Sequence, residues 1–200
     1  MTSPLPGAGP PDPPPHLRVE MLSCPRFLAG ARELVASLAR RLGFDEIAAS
    51  QVALAVDEAL ANVIRHGYER REDQPIWMTI WQIDEKSTPV PPPCPDPAGL
   101  RIVIEDLGRQ TEPEQIKGRD LDDIRPGGLG VHIIREVMDQ AVYEKRPGGG
   151  MRLTLVKRLS PGKDARSDAS CAQGCAAPSV ISTPSTPPSG AAKGQGNLHG

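Results

Sequence analysis

The run from Asp45 to Gly67 constrains the fold more than any other part of the chain. Ala, Leu, Glu and Arg dominate its second half, and neither Pro nor Gly interrupts it before Gly67, so it reads as a helix opened by Asp45 and ended by Gly67. Val56, Ala59, Leu60, Val63 and Ile64 give it an apolar surface that must be seated on a core. The same run carries Glu58 and Asn62. A spacing of four puts their side chains on one face, roughly 40° apart around the axis and ~6 Å along it. A carboxylate able to act as a general base, beside an amide oxygen able to ligate a hard cation, is a pair that Mg-dependent phosphoryl transfer can use. Taken alone, the run also describes a core helix with a solvated Glu and Asn.

Around it the pattern alternates between helix and strand. Leu17 to Leu22 alternates apolar and polar residues and predicts a strand. Ser23 is placed to cap the next helix, with Pro25 in its first turn. Phe27, Leu28, Ala31, Leu34, Val35, Leu38 and Leu42 give that helix one buried face, and Gly43 ends it. Ile76 to Ile83 predicts a strand with Ile76, Met78 and Ile80 on one face and Trp77, Thr79 and Trp81 on the other. Leu100 to Glu105 predicts another. The polar stretch Glu112 to Pro126, with Lys117, Arg119 and Arg125, predicts a short helix and then a mobile loop that orders over a bound ligand. Leu129, Ile133, Ile134, Val137 and Met138 mark a third amphipathic helix, and Ala141 to Lys145 with Met151 to Arg158 a closing hairpin. The expected architecture is an α/β (α+β) sandwich, a mostly antiparallel sheet covered on one face by three main helices.

Composition sets the limits of the folded part. Residues 1–15 are rich in Pro and Gly, and residues 160–200 in Ser, Pro, Gly, Ala and Gln, so both are expected to be disordered tails around a domain at 16–159. Residues 87–99, containing Val90-Pro91-Pro92-Pro93-Cys94-Pro95, read as a Pro-rich insertion between two strands. The net charge of −2 and the absence of a basic patch with aromatics argue against direct nucleic-acid binding. No apolar run is expected to reach membrane-spanning length and no signal-peptide core is seen, so a cytoplasmic protein without membrane contact is expected. The cysteines Cys24, Cys94, Cys171 and Cys175 suggest neither a disulfide framework nor a metal site.

Four motifs follow one another: the helix with Glu58 and Asn62; Ile102-Val103-Ile104-Glu105-Asp106-Leu107-Gly108; Gly127-Gly128-Leu129-Gly130 opening a helix; and Gly148-Gly149-Gly150 opening a strand. In order and spacing they resemble the GHKL ATPase superfamily, and within it the bacterial anti-sigma factor serine/threonine kinases, over about residues 17–158. The resemblance implies ATP and Mg²⁺ as ligands. It implies Glu58 as the general base, Asn62 as the Mg²⁺ ligand and Asp106 as the acceptor for the adenine amino group. Gly108 would let the backbone pass close to the purine, Gly127, Gly128 and Gly130 would approach the phosphates, and Gly149 and Gly150 would form the last family element. It implies sequestration of a sigma factor, phosphorylation of a Ser or Thr on an anti-anti-sigma partner of the STAS fold, and a homodimer. Histidine kinases share the domain but carry a phosphoacceptor His on a separate helix pair, which is not expected here. His66, one turn after Asn62, is expected to pack or cap rather than catalyse. Two positions depart from the pattern. Gln110 stands where the family often has a second Gly, and Met151 where a Thr hydroxyl is common. The alternative they leave open is a GHKL-fold module that regulates a partner by binding alone.

Overall fold

The computed structural model describes residues 12–116 and 129–160. Among them five strands form one sheet in the order β1-β2-β3-β5-β4, with β1 at Leu17–Leu22, β2 at Pro75–Ile83, β3 at Gly99–Glu105, β4 at Gln140–Lys145 and β5 at Met151–Arg158. Every neighbouring pair is antiparallel. The register explains the core. Val19, Met78 and Ile104 fall in one row with Leu153, and Leu17, Ile80 and Ile102 in the next with Leu155. Their side chains share a face and bury against the helices. Because β3 pairs with β5 rather than β4, the chain must cross the sheet between β3 and β4, and that crossing carries α3, Leu129–Val137, onto the same face as α1, Leu28–Arg41, and α2, Glu46–Asn62. The expected two-layer α/β sandwich is the fold found.

Asp45 caps α2 as its position suggests, its Oδ1 accepting from Ala48 N at 2.7 Å. Ala49, Val52, Ala53, Ala55, Val56, Ala59, Leu60 and Ala61 are all buried, so α2 is enclosed on most of its circumference. This corrects one expectation. The 22 residues Glu46–Gly67 are long and apolar enough, by length and composition, to cross a membrane, yet here they form the central core helix of a sandwich. Gly43, with φ of +98°, stops the preceding segment in the left-handed region that a side chain resists.

Two other local expectations change. Ser23 does not cap a helix. It is fully buried, its hydroxyl donating to Arg71 O and accepting from Gln74 N at 3.0 Å. The turn it pins is strained, since Glu69 and Arg70 both have positive φ, and a buried hydroxyl satisfies backbone groups there that no strand ladder reaches. Pro25 opens a short 3₁₀ turn, Pro25–Phe27, ahead of α1, and this rotates Phe27 out of the buried stripe; Phe27 and Leu34 are exposed. On the sheet's other face, residues 12–15 lie against β2 and β3. Pro13 O accepts from Trp81 Nε1 at 2.8 Å, and Asp12 pairs with Arg101 at 2.8 Å while Arg101 stacks over Trp81. The Pro-rich stretch closes a hairpin between β2 and β3 through Ala98 N donating to Ile83 O.

Candidate functional site

The candidate residues fall into two groups joined by α2. At one end, Glu58 and Asn62 are half-buried and face the first turn of α3. Gly130 is buried against them. A Cβ there would lie 2.6 Å from Glu58 Oε2 and 3.4 Å from Asn62 Nδ2, so the carboxylate and amide occupy the space a side chain would need. The first turn of a helix offers amide donors that its own backbone does not use, and a partial positive charge. Here those features meet a carboxylate and an amide. Gly127 and Gly128, with Lys117, Arg119 and Arg125, lie outside the described residues, as does the expected loop beyond Ile116; a single 3₁₀ turn, Pro113–Gln115, precedes it.

Beyond Asn62 the helix widens into a π turn, Val63–Gly67, and brings its last residue to the second group. Gly67 and Gly108 meet backbone to backbone. A Cβ on Gly108 would sit 2.6 Å from the Gly67 carbonyl carbon and oxygen, and Arg109 N donates to Gly67 O at 2.8 Å. Gly67 lies nine positions beyond Glu58 and five beyond Asn62, roughly 13 Å and roughly 7 Å along the axis at an α-helical rise.

Asp106 is 3% exposed at the end of β3. Its Oδ1 accepts from Gly108 N at 2.7 Å and from Met151 N at 3.3 Å. Burial pushes its carboxyl above the usual aspartate range, and those two amides and the Arg146 guanidinium oppose the rise without cancelling it. Among the described residues no donor reaches Oδ2. Gly150, at φ +79°, packs so closely that a Cβ would overlap Asp106 O. Gly149, at φ +115°, has open space around its Cβ position, so it shapes the turn without touching the site. His66 is exposed.

Four residues that hold this end together are not singled out by sequence pattern. Gly67 reads only as a helix stop. Tyr68, fully buried, donates its hydroxyl proton to Pro75 O and accepts from Leu107 N at 2.7 Å, tying α2 to the residue after Asp106; burial is the main reason its phenol titrates above the ordinary range. Arg146 Nη1 donates to Asp106 O at 2.5 Å. Gln110 Nε2 donates to Arg146 O at 2.8 Å and Gly150 O at 3.1 Å. Hydrogen bonds between positions some 40 apart leave no periodicity to read; the only signal is that Gln110 breaks a glycine pattern.

Residues 23–157 match the model of the histidine kinase-like ATPase domain. Among curated proteins, the serine-protein kinase RsbW of Staphylococcus aureus is 27% identical over 119 residues, 56% of this chain and 66% of that protein. The serine/threonine-protein kinase BtrW of Bordetella bronchiseptica is 28% identical over 114 residues, 55% of this chain and 70% of that one. RsbW of Listeria monocytogenes is 24% identical over 131 residues, 62% and 75% of the two chains. The chain thus spans about two thirds of the length of the staphylococcal relative. A solved histidine kinase domain from Erythrobacter litoralis EL346 is similar at a TM-score of 0.36 and 17% identity, over 68% of this chain and 60% of that one. With two thirds of its length matched by the family model, this chain belongs to the histidine kinase-like ATPase domain family.

Proposed function

We propose that the domain is a Mg-ATP-dependent serine/threonine-protein kinase of the anti-sigma factor type. It would hold a sigma factor inactive and phosphorylate a Ser or Thr of an anti-anti-sigma partner of the STAS fold. The observation that carries this reading is the placement of two chemically different ends on one helix. Glu58 and Asn62 lie against the start of α3, and Asp106, whose Oδ2 meets no donor among the described residues, lies behind the Gly67–Gly108 contact. The axial separation from Gly67, roughly 7 Å for Asn62 and roughly 13 Å for Glu58, suits a nucleoside triphosphate with its base at Asp106. Relatives bearing the names serine-protein kinase and serine/threonine-protein kinase support the reaction class.

Asp106 Oδ2 would accept from an exocyclic amino group; the missing Cβ of Gly108 lets the Gly67 backbone close in beside it, so the two glycines would form a wall of the base site. Gly130 lets Glu58 and Asn62 approach the start of α3, whose amides, with Gly127 and Gly128 as proposed partners, would take phosphate. Asn62 Oδ1 would hold Mg²⁺. The donor fits, because a neutral amide oxygen is a hard ligand and a single protein ligand is enough for an ion shared with phosphate oxygens and water. When bound, the ion neutralises charge on the phosphates. Glu58 would take the proton of the attacking Ser or Thr hydroxyl as its oxygen bonds to the γ-phosphorus and the bond to the bridging oxygen of ADP breaks.

Calorimetry with Mg-ATP, followed by transfer from labelled ATP to a STAS-domain protein, tests the reading. Glu58→Gln should lower transfer by about 10²–10⁴-fold and keep most of the ATP affinity. Undiminished transfer in that variant would refute the base assignment. No heat at millimolar ATP from folded protein would point to regulation by binding alone. Against that alternative, the amide of Met151 already donates to Asp106, so the missing hydroxyl leaves Oδ1 satisfied. A cytoplasmic homodimer belongs to the same proposal, and light scattering at micromolar concentration would test the dimer.

A further inference from the structure

The two departures from the family pattern lie at one turn: Gln110 bonds the turn that ends at Gly150, and Met151 follows it. Asp106 N donates to Met151 O at 3.1 Å and Met151 N donates back to Asp106 Oδ1, so the residue without a hydroxyl holds the aspartate through its backbone alone. Such a pairing is only as rigid as the turn that presents Met151, and that turn runs through Gly148, Gly149 and Gly150, all at positive φ. Three consecutive glycines are the least rigid support a strand can have. Arg146 N donating to Gly150 O at 3.0 Å and Gly149 N donating to Arg146 O at 3.2 Å close the turn, and Gln110 braces the same two carbonyls from outside it. Its Nε2 spans the turn, donating to the carbonyls of Arg146 and Gly150 on either side of it.

Arg146 then reaches back. Its Nη1 donates to Asp106 O and its Nε pairs with Glu105 at 3.2 Å, while the guanidinium stacks over Trp77 at 5.5 Å from the ring centre. Arg152 pairs with the same Glu105 oxygen at 3.0 Å. The planar guanidinium is therefore fixed on three sides, by a carbonyl, a carboxylate and an aromatic face, in a geometry that an ammonium would not reproduce. Gln110 holds the turn and the turn holds Arg146. Arg146 and Met151 O hold the main chain of Asp106, and the amides of Gly108 and Met151 hold its side chain.

We propose that Gln110 and Arg146 are positioning residues for recognition of an aminopurine nucleotide, a clamp across the β4–β5 turn that fixes Asp106 in place of the family's glycine and hydroxyl. This rests on the nucleotide reading above. It adds that discrimination between an amino-bearing and an oxo-bearing purine depends on two residues that do not touch the base.

The test uses the full chain and compares Mg-ATP with Mg-GTP by calorimetry, together with melting of the ligand-free protein. Gln110 is exposed, so Gln110→Ala and Gln110→Glu should fold. In Gln110→Glu a carboxylate faces two carbonyl oxygens, so it should be the more severe. The expected result is a loss of ATP affinity of about tenfold with little change for GTP, so that the ATP/GTP ratio falls by the same factor. A merely structural role would lower the melting temperature and leave the ratio unchanged.

Arg146→Ala adds a second readout. Among the described residues, the charged and titratable groups around Asp106 are Arg146 from the turn, Glu105 beside it with Arg152 paired to it, and Tyr68 from the end of α2. Removing the cation should shift the acid limb of ATP binding to higher pH, while Arg146→Lys restores part of that shift but not the ATP/GTP ratio. Wild-type binding of ATP together with unchanged ratios and pH limbs in all variants would overturn the clamp and spare the nucleotide reading. No wild-type binding of either nucleotide would overturn both.

Discussion

Gly130→Ala separates chemistry from stability at one position. The added methyl would lie 2.6 Å from Glu58 Oε2, and relieving this to an ordinary contact of ~3.5 Å moves the carboxylate by ~1 Å. The obstacle is the far end of a flexible side chain, so the backbone need not shift. Replacing Gly by Ala inside a helix favours folding by up to ~1 kcal/mol, which offsets the rotamer cost to Glu58. The melting temperature should therefore stay constant or rise by about 3 °C. Catalysis should respond differently, because a displacement of ~1 Å in a reacting group can cost about 10²-fold. Single-turnover transfer at saturating ATP, with scanning calorimetry on the same sample, reads both quantities. Saturation removes any effect on phosphate binding at the start of α3. The double variant with Glu58→Gln sharpens the test: if Gly130→Ala acts through Glu58, it should cost nothing further in that background. An unchanged rate in the single variant, or a full additional loss in the double, would refute the reasoning.

Gly108→Ala should be costly in stability, because its methyl meets the backbone of Gly67 at 2.6 Å, where nothing flexible can yield. A loss of about 1–3 kcal/mol is expected from urea unfolding, and an unchanged midpoint would contradict the close approach. Tyr68→Phe removes the hydroxyl shared by Pro75 O and Leu107 N. Leaving both groups without a partner should cost about 1–3 kcal/mol and increase exchange at the Leu107 amide, and wild-type protection there would count against the bridge.

The sequence shows the fold well wherever burial repeats with a fixed period. The two faces of β2 and the cap at Asp45 can be read because each depends on residues within one element. Leu34 of α1 fails, because a helical stripe says which residues align but not how far the neighbouring layer extends over them, and Phe27 fails because the 3₁₀ turn before α1 breaks the stripe's period. Ser23 fails for a related reason. A small hydroxyl before a proline satisfies a local capping pattern, whereas its actual partners, Arg71 and Gln74, lie some 50 positions away. The site divides in the same manner. Glu58 and Asn62 are legible from a spacing of four, and Asp106 from its place after a buried strand. The π turn after Asn62 has no composition that marks it, yet it sets where Gly67 meets Gly108. Gln110 and Arg146 become visible only when β3 and the β4–β5 turn are brought side by side.

Asp106 shows how the site opposes the fold that holds it. Its carboxyl is buried, and burial raises its pKa above the value it has in the unfolded chain, despite the amides of Gly108 and Met151 and the charge of Arg146. A raised acid favours the folded state when protonated. Its contribution is fully present below the unfolded value of ~3.9 and is lost as pH rises through the folded value, since over that window the folded protein binds more protons than the unfolded one. Asp106→Asn removes this dependence, and its amide oxygen can still accept from Gly108 and Met151. The variant should therefore be more stable than wild type at neutral pH. The advantage should grow as pH rises above ~4 and level off once the wild-type carboxyl is ionised. ATP binding should change in the opposite direction, because the amide nitrogen of Asn now presents a donor where the undonated carboxylate oxygen stood. Melting curves across pH and calorimetry at neutral pH would read the two effects. A variant less stable than wild type at neutral pH would mean that the ionised carboxylate is stabilised by its surroundings more than burial penalises it, and the account of this end of the site would be wrong.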